Sequence, residues 1–215
     1  MTPTQIIIYV EGVSDKNVLS VLLNPLIEQK QQKGIAIAFF EATEGDRKKF
    51  VVEKAPVRAV NILSNQQDAL VVAMPDLYPK NKGFPHNTAQ ELANGIQKNF
   101  ENALKNKGIT DERLNERFKF FCFKYELEVL LLAAEDALKA YLGVETFAVK
   151  WKKPVEDQNH DKPPKQVIEE LFQKSQRTYK EADDAARILS GVNYQDIAAA
   201  CPQCFAPFVA FLESL

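Results

Sequence analysis

The sequence predicts an α/β fold: a mostly parallel central sheet flanked by helices, with a helical cap toward the C-terminus. Three observations predict it. Short, continuous apolar runs alternate with helix-patterned segments from residue 5 to residue 143. Two of these runs end directly in a carboxylate, Glu11 and Asp76. The last third carries helical patterns and no clear strand. Apolar runs separated by helices suit parallel strands covered on both faces.

The first strand is "QIIIYV" (5–10). Residues 14–32 read as a helix, with Ser14 as N-cap and Val18, Leu19, Leu22, Leu23 and Leu26 on one face. Pro25 kinks or splits it. "GIAIAFFEA" (34–42) is a second strand, and 48–65 is helical, broken or restarted at Pro56. "DALVVAMPD" (68–76) is a third strand. "LYPKNKGFPHN" (77–87) is a loop by its Pro, Gly and Asn content. Asn87 or Thr88 caps a long amphipathic helix over 88–107. "RFKFFCFK" (117–124) is a fourth strand, and 125–143 is a strongly apolar helix ending at Gly143. A polar, Pro-containing connection over 149–165 leads to helical patterns at 164–175, 181–191, 194–201 and 205–215. Residues 1–145 are expected to form the α/β domain. Residues 146–215 are expected to form a helical extension packed on it, as one structural unit.

A chain of 215 residues, 46% hydrophobic and 26% charged, can bury a core without disulfides or metal staples. The net charge of −2 means that an anionic partner must be held by a local patch or through a cation. No apolar run approaches the ~18 residues of a membrane span. "MTPTQIIIYVEG" lacks a basic n-region and reads as a strand, not a signal peptide. An odd number of cysteines, Cys122, Cys201 and Cys204, fits reduced thiols in a cytoplasmic protein.

In open α/β sheets, ligands bind outside the carboxyl ends of the strands, near a topological switch point. Glu11 follows the first strand and Asp76 the third; Glu126 and Glu128 follow the fourth. One edge is thus expected to collect Glu11, Asp15, Asp76, Glu126 and Glu128. At ~4 Å and an effective dielectric near 20, each like-charge pair costs about 4 kcal/mol. Protonation or a divalent cation relieves that cost. Mg²⁺ prefers carboxylate oxygens and keeps waters that a phosphate can replace, so phosphodiester cleavage is the expected chemistry. Gly12 is expected to allow a tight turn and a close backbone approach. The bland reading of any one of these acids is a helix cap or first-turn residue.

Two basic clusters could meet a nucleic-acid backbone: Arg47, Lys48 and Lys49 after the second strand, and Lys150, Trp151, Lys152 and Lys153 in "VKWKKP". His86 is a conceivable general base on a mobile loop. "CPQC" (201–204) follows an apparent helix and lacks the strand context of a redox motif, and no histidine spacing completes a zinc site. No P-loop, nucleophile elbow or dinucleotide fingerprint is present.

"VEGVSDKNVL" (10–19) followed by "VVAMPDLY" (71–78) resembles the TOPRIM fold shared by topoisomerases, primases and OLD-type nucleases. There a Glu follows the first strand and Asp-x-Asp the third; here Tyr78 replaces the second Asp. A narrower TOPRIM-like group, the domain of unknown function 4276 family, is more similar still. Its motifs read here as "VEGVSD", "DLYPKNKGFP", "KYELEVLLLA", "PPKQVIEEL", "RTYKEADD" and "CPQCF", in order, with Tyr125 where the group has His. The resemblance implies a Mg²⁺- or Mn²⁺-dependent nuclease acting on nucleic acid, in an anti-phage system with a partner ATPase. It implies Glu11 and Asp76 as the metal-binding and acid/base core. It implies Asp15, Glu126 and Glu128 as a second metal position or its shell, and Lys165 and Lys180 as bases steadying phosphate charge. The alternative is a non-catalytic TOPRIM-like module that docks on and regulates the ATPase.

Overall fold

The chain begins with β1 (Gln5–Val10), α1 (Val13–Leu22), α2 (Asn24–Gln32) and β2 (Ala36–Glu41). A short α3 (Arg47–Lys49) runs through a π-helical segment (Phe50–Lys54) into α4 (Ala55–Asn65), followed by β3 (Ala69–Met74). Next come α5 (Ala89–Asn106), α6 (Arg113–Glu116) and β4 (Phe118–Phe120). The remainder is helical: α7 (Val129–Ala133), α8 (Glu135–Leu142), α9 (Pro164–Lys174), α10 (Glu181–Leu189), α11 (Tyr194–Ala200) and α12 (Phe205–Ser214). The computed structural model describes residues 3–42, 45–78, 80, 85–158 and 161–215. Phe84 of the expected "FP" pair, most of the 79–84 connection and His160 lie outside the described residues.

The four strands pair in parallel in the order β2-β1-β3-β4. The chain steps to one side of β1 for β2 and to the other for β3, so the switch point lies between β1 and β3. All six residues of β3 are buried, which is why its sequence is continuously apolar rather than alternating. Ile6, Ile8, Val10, Leu70, Val72 and Met74 face a core closed by α1, α2 and the C-terminal helices. Ile7, Tyr9, Val71 and Ala73 face a second core closed by α4 and α5. Each fully buried aliphatic side chain contributes about 1.5–3 kcal/mol. No helix of the described residues is long and apolar enough to cross a membrane.

Several boundaries differ from expectation, each for a local reason. The segment 14–32 divides at Leu23, and Pro25 sits in the first turn of α2, where its missing N–H leaves no bond unmade. Ser14 is not the N-cap of α1. Gly12 holds that position, and the Asp15 carboxylate accepts its backbone N–H at 2.7 Å. Thr88 caps α5, its hydroxyl accepting from the Glu91 N–H. The fourth strand is shorter than 117–124, and its ladder resumes only as a bridge between Asp76 and Phe123. Pro75 lies between and has no N–H to offer. The apolar segment 125–143 opens as a turn and breaks at Ala134, where ψ is 47°. It ends as expected at Gly143, whose φ of 71° is left-handed.

The C-terminal helices are locked by a carboxylate distant in sequence. Glu156 is buried and accepts the backbone N–H groups of Gln203, Cys204 and Phe205 at 2.5, 2.8 and 3.3 Å. These are the open donors at the start of α12, so "CPQC" serves as a helix entry. Cys122 and Cys201 are buried and Cys204 half-buried in the packing. Glu156→Ala should lower unfolding stability by about 1–3 kcal/mol in urea titration, because buried donors lose their acceptor. Glu156→Gln should recover part of that loss.

Candidate functional site

Glu11 and Asp76 meet at the switch point. Glu11 Oε1 accepts the Asp76 backbone N–H at 3.0 Å, tying the end of β1 to the end of β3. The Asp76 carboxylate makes no hydrogen bond to the described residues. Lys48, a buried lysine just inside α3, brings its Nζ to 3.9 Å from Glu11 Oε1. The Asp46 carboxylate caps that short helix at the Lys49 N–H. Gly12 has φ −131°, ordinary extended backbone, so the turn does not itself demand glycine. A Cβ there would meet Arg47 Nη1 and Asp15 Oδ2 at 3.4 Å, which places the guanidinium against this turn.

Burial sets the charge state of the edge. It pushes Glu11 up to about 7; Lys48 and the Asp76 N–H oppose it, and Asp15 and Asp46 add to it. Burial also pushes Asp15 up to about 6, against its bond from Gly12. Asp76 is driven well above the carboxylate range by burial and then by repulsion from Asp15, Glu11 and Glu128. Glu128 rises to about 7, through burial and then Glu181. Desolvation lowers Lys48 despite Glu11 and Asp76 beside it. Four carboxyl groups therefore share one desolvated edge and repel one another.

The C-terminal helices supply the far wall, since α10 packs on α1. Lys165 pairs with Glu181, and burial, which would raise Glu181, is outweighed by Lys165 and the Ser14 hydroxyl. Tyr179 donates its hydroxyl to Glu128 at 3.2 Å. Glu126 accepts the Lys165 backbone N–H at 3.0 Å and so caps α9 from outside. Lys180 is exposed, and its ammonium has no ion pair among the described residues. The backbone is extended at Lys180, so its neighbours Tyr179 and Glu181 point inward while it points out. The motif "RTYKEADD" thus reaches the site through Tyr179 and Glu181, which residue-type reasoning passed over in favour of the lysine.

The basic clusters divide. Arg47 and Lys48 lie at the acid edge; Lys49 is exposed and pairs with Glu53 at 3.8 Å. Trp151 packs on Phe147, with ring centroids 5.6 Å apart, beside the exposed Lys150 in a cavity of about 400 Å³. Lys152 donates its backbone N–H to Gln158 at 3.0 Å, and Lys153 pairs with Glu135 at 3.3 Å. None of these four contacts the acid-edge carboxylates among the described residues. His86 is buried and its Nε2 donates to the Leu77 carbonyl at 2.8 Å, so it fastens the segment after β3 rather than presenting a base. A larger cavity, about 670 Å³, lies at the opposite sheet edge. The guanidinium of Arg117 there is occupied by the carbonyls of Leu63, Gln66, Gln67 and Ala69. Among the described residues, no three His, Cys, Asp or Glu side chains are arranged to hold a metal ion.

Residues 10–213 match the family described as Domain of unknown function (DUF4276). The chain belongs to the DUF4276 family. Its fold also matches the solved C-terminal region of the Burkholderia pseudomallei OLD protein, at 17% identity and a TM-score of 0.50. That match covers 97% of this chain and 96% of the other. No curated protein gives a significant match. For this DUF4276 chain, the four-stranded parallel α/β fold is therefore shared with an OLD C-terminal region.

The raised carboxyls fix a pH dependence. Each binds its proton more tightly when folded, so its contribution is complete below its ordinary value and is lost as pH rises. For Glu11 and Glu128 that window runs from 4.5 to about 7. The Tm of metal-free protein should fall between about pH 5 and about pH 8. Asp76→Asn should raise Tm at the upper pH and flatten the slope. A wild-type Tm that rises across this range would contradict the charge assignment.

Proposed function

We propose that this chain is a divalent-metal-dependent phosphodiesterase acting on nucleic acid, on a TOPRIM-like sheet, with Glu11 and Asp76 holding Mg²⁺ or Mn²⁺. The observation that carries this reading is the crowd of desolvated carboxyls at the β1–β3 switch point. Their donors are all oxygen, which suits a hard cation. The Asp76 oxygens have no hydrogen-bond partner among the described residues. Two carboxylates with water or phosphate oxygens completing the shell is a usual arrangement for Mg²⁺. A cation so held would polarise a phosphoryl oxygen and lower the pKa of bound water.

The chain's own groups would do the rest. Glu11 orients the Asp76 backbone, and Asp15 holds the Gly12 turn. Lys48 and Arg47 meet the phosphate that approaches the edge. Lys165, paired with Glu181, and Glu128, bonded by Tyr179, would form the far wall of the edge. On this reading residues 146–215 complete the site of the 1–145 domain. The resemblance to OLD-type nucleases supports an anti-phage role beside a partner ATPase.

The second reading, a non-catalytic docking module, is favoured by Tyr78 in place of a second Asp. One experiment separates the two. Mn²⁺ binding by calorimetry and cleavage of single- and double-stranded DNA and RNA are measured in wild type, Glu11→Gln and Asp76→Asn. The nuclease reading expects Mn²⁺ binding in wild type, and a loss of cleavage of about 10²–10³-fold in both variants with unchanged circular dichroism. Wild type that binds no Mn²⁺ at millimolar concentration would shift the assignment to the docking module.

A further inference from the structure

Tyr78 stands where the wider TOPRIM pattern has an Asp, as is usual in the narrower group, and Tyr125 stands where that group has a His. The structure brings the two together. Beyond β3 and β4, Asp76 bridges Phe123 in parallel, and the Leu77 N–H donates to the Phe123 carbonyl at 2.7 Å. Two residues further along each chain, the rings of Tyr78 and Tyr125 stack, 4.9 Å between centroids and 19° between planes.

The two rings are held differently. Tyr78 packs against the core on the α4–α5 side, and its hydroxyl donates to the Asn87 carbonyl at 3.1 Å. Lys80 lies 6.0 Å from its ring centre and donates to Asn87 Oδ1 at 2.6 Å. Tyr125 is half-buried, belongs to neither core cluster, and its hydroxyl makes no hydrogen bond among the described residues. Burial, then Tyr78, raises its pKa, so it is a neutral phenol. A ring seated on one fixed aromatic face, and outside both cores, is a pre-organised surface for another flat group.

We propose that Tyr78 and Tyr125 form a stacking platform for an unpaired base, making the substrate of the acid edge a single-stranded nucleic acid. This rests on the phosphodiesterase reading of that edge. Base stacking on aromatic faces is indifferent to sequence but needs a base free of its complement, which a duplex does not offer. Asp76 and Tyr78 lie two residues apart across a bend at Leu77, at most about 7 Å from Cα to Cα. A base on the platform would bring an adjoining phosphate within reach of Asp76 and Glu11. Lys80 beside the platform and Arg47 and Lys48 at the edge supply the cations that such a strand needs in a chain of net charge −2.

The test is fluorescence anisotropy in EDTA, where no cleavage occurs. The probes are a labelled oligothymidylate of about 12 nucleotides and a duplex of equal length. Wild type should prefer the single strand. Tyr125→Ala should weaken single-strand binding at least about fivefold and leave duplex binding unchanged, while Tyr125→Phe retains it. Tyr125→Leu, which keeps bulk without a π face, should behave like the alanine variant and guards against a folding defect. Unchanged single-strand affinity in the alanine and leucine variants, or an equal loss on duplex, would overturn the platform. If Glu11-dependent cleavage persists in that case, the platform falls alone. If wild type binds neither probe, the phosphodiesterase reading falls with it.

Discussion

The hydrogen bond from the Asp76 N–H to Glu11 fixes the rest of the site. It ties β1 to β3 just past the end of their ladder, where the winding of the chain reverses. A carboxylate in that place does two things. It satisfies a backbone donor just beyond Pro75, and it puts a second acid against the side chain of the residue it holds. The repulsion that follows is a consequence of the geometry of the turn. The buried Lys48 opposes it, while desolvation adds to its cost.

The C-terminal half is built around the same problem. Glu128 is bonded by Tyr179, Lys165 is neutralised by Glu181, and Glu126 is spent on the first turn of α9. Each of these three has a partner from another segment, and Asp15 is held within its own turn by the Gly12 N–H. The Asp76 carboxylate differs in having no hydrogen bond among the described residues. On the proposed reading, that asymmetry leaves Asp76 for the cation.

Much of this was legible in the sequence. The apolar runs ending in Glu11 and Asp76 located two strands and the edge they share, because burial on both faces leaves no alternation to misread. Chain order alone could not give the split at Leu23, the break at Ala134 or the early end of β4. These depend on tertiary contacts and on a single proline in the ladder. Glu181 and Tyr179 carry no such signal, because inward and outward positions alternate in an extended segment and only packing shows which is which. Glu156 gave no signal at all, since its three backbone partners lie more than forty residues away.

The wall made by Lys165, Tyr179 and Glu181 has a temporal side. Synthesis delivers residues 11 and 76 to solvent well before residues 165–181 exist, and domains acquire structure in that order. Until α9 and α10 arrive, the far wall of the edge is missing and the acids there are more hydrated. Proton uptake at the edge therefore follows the synthesis of residues 165–181.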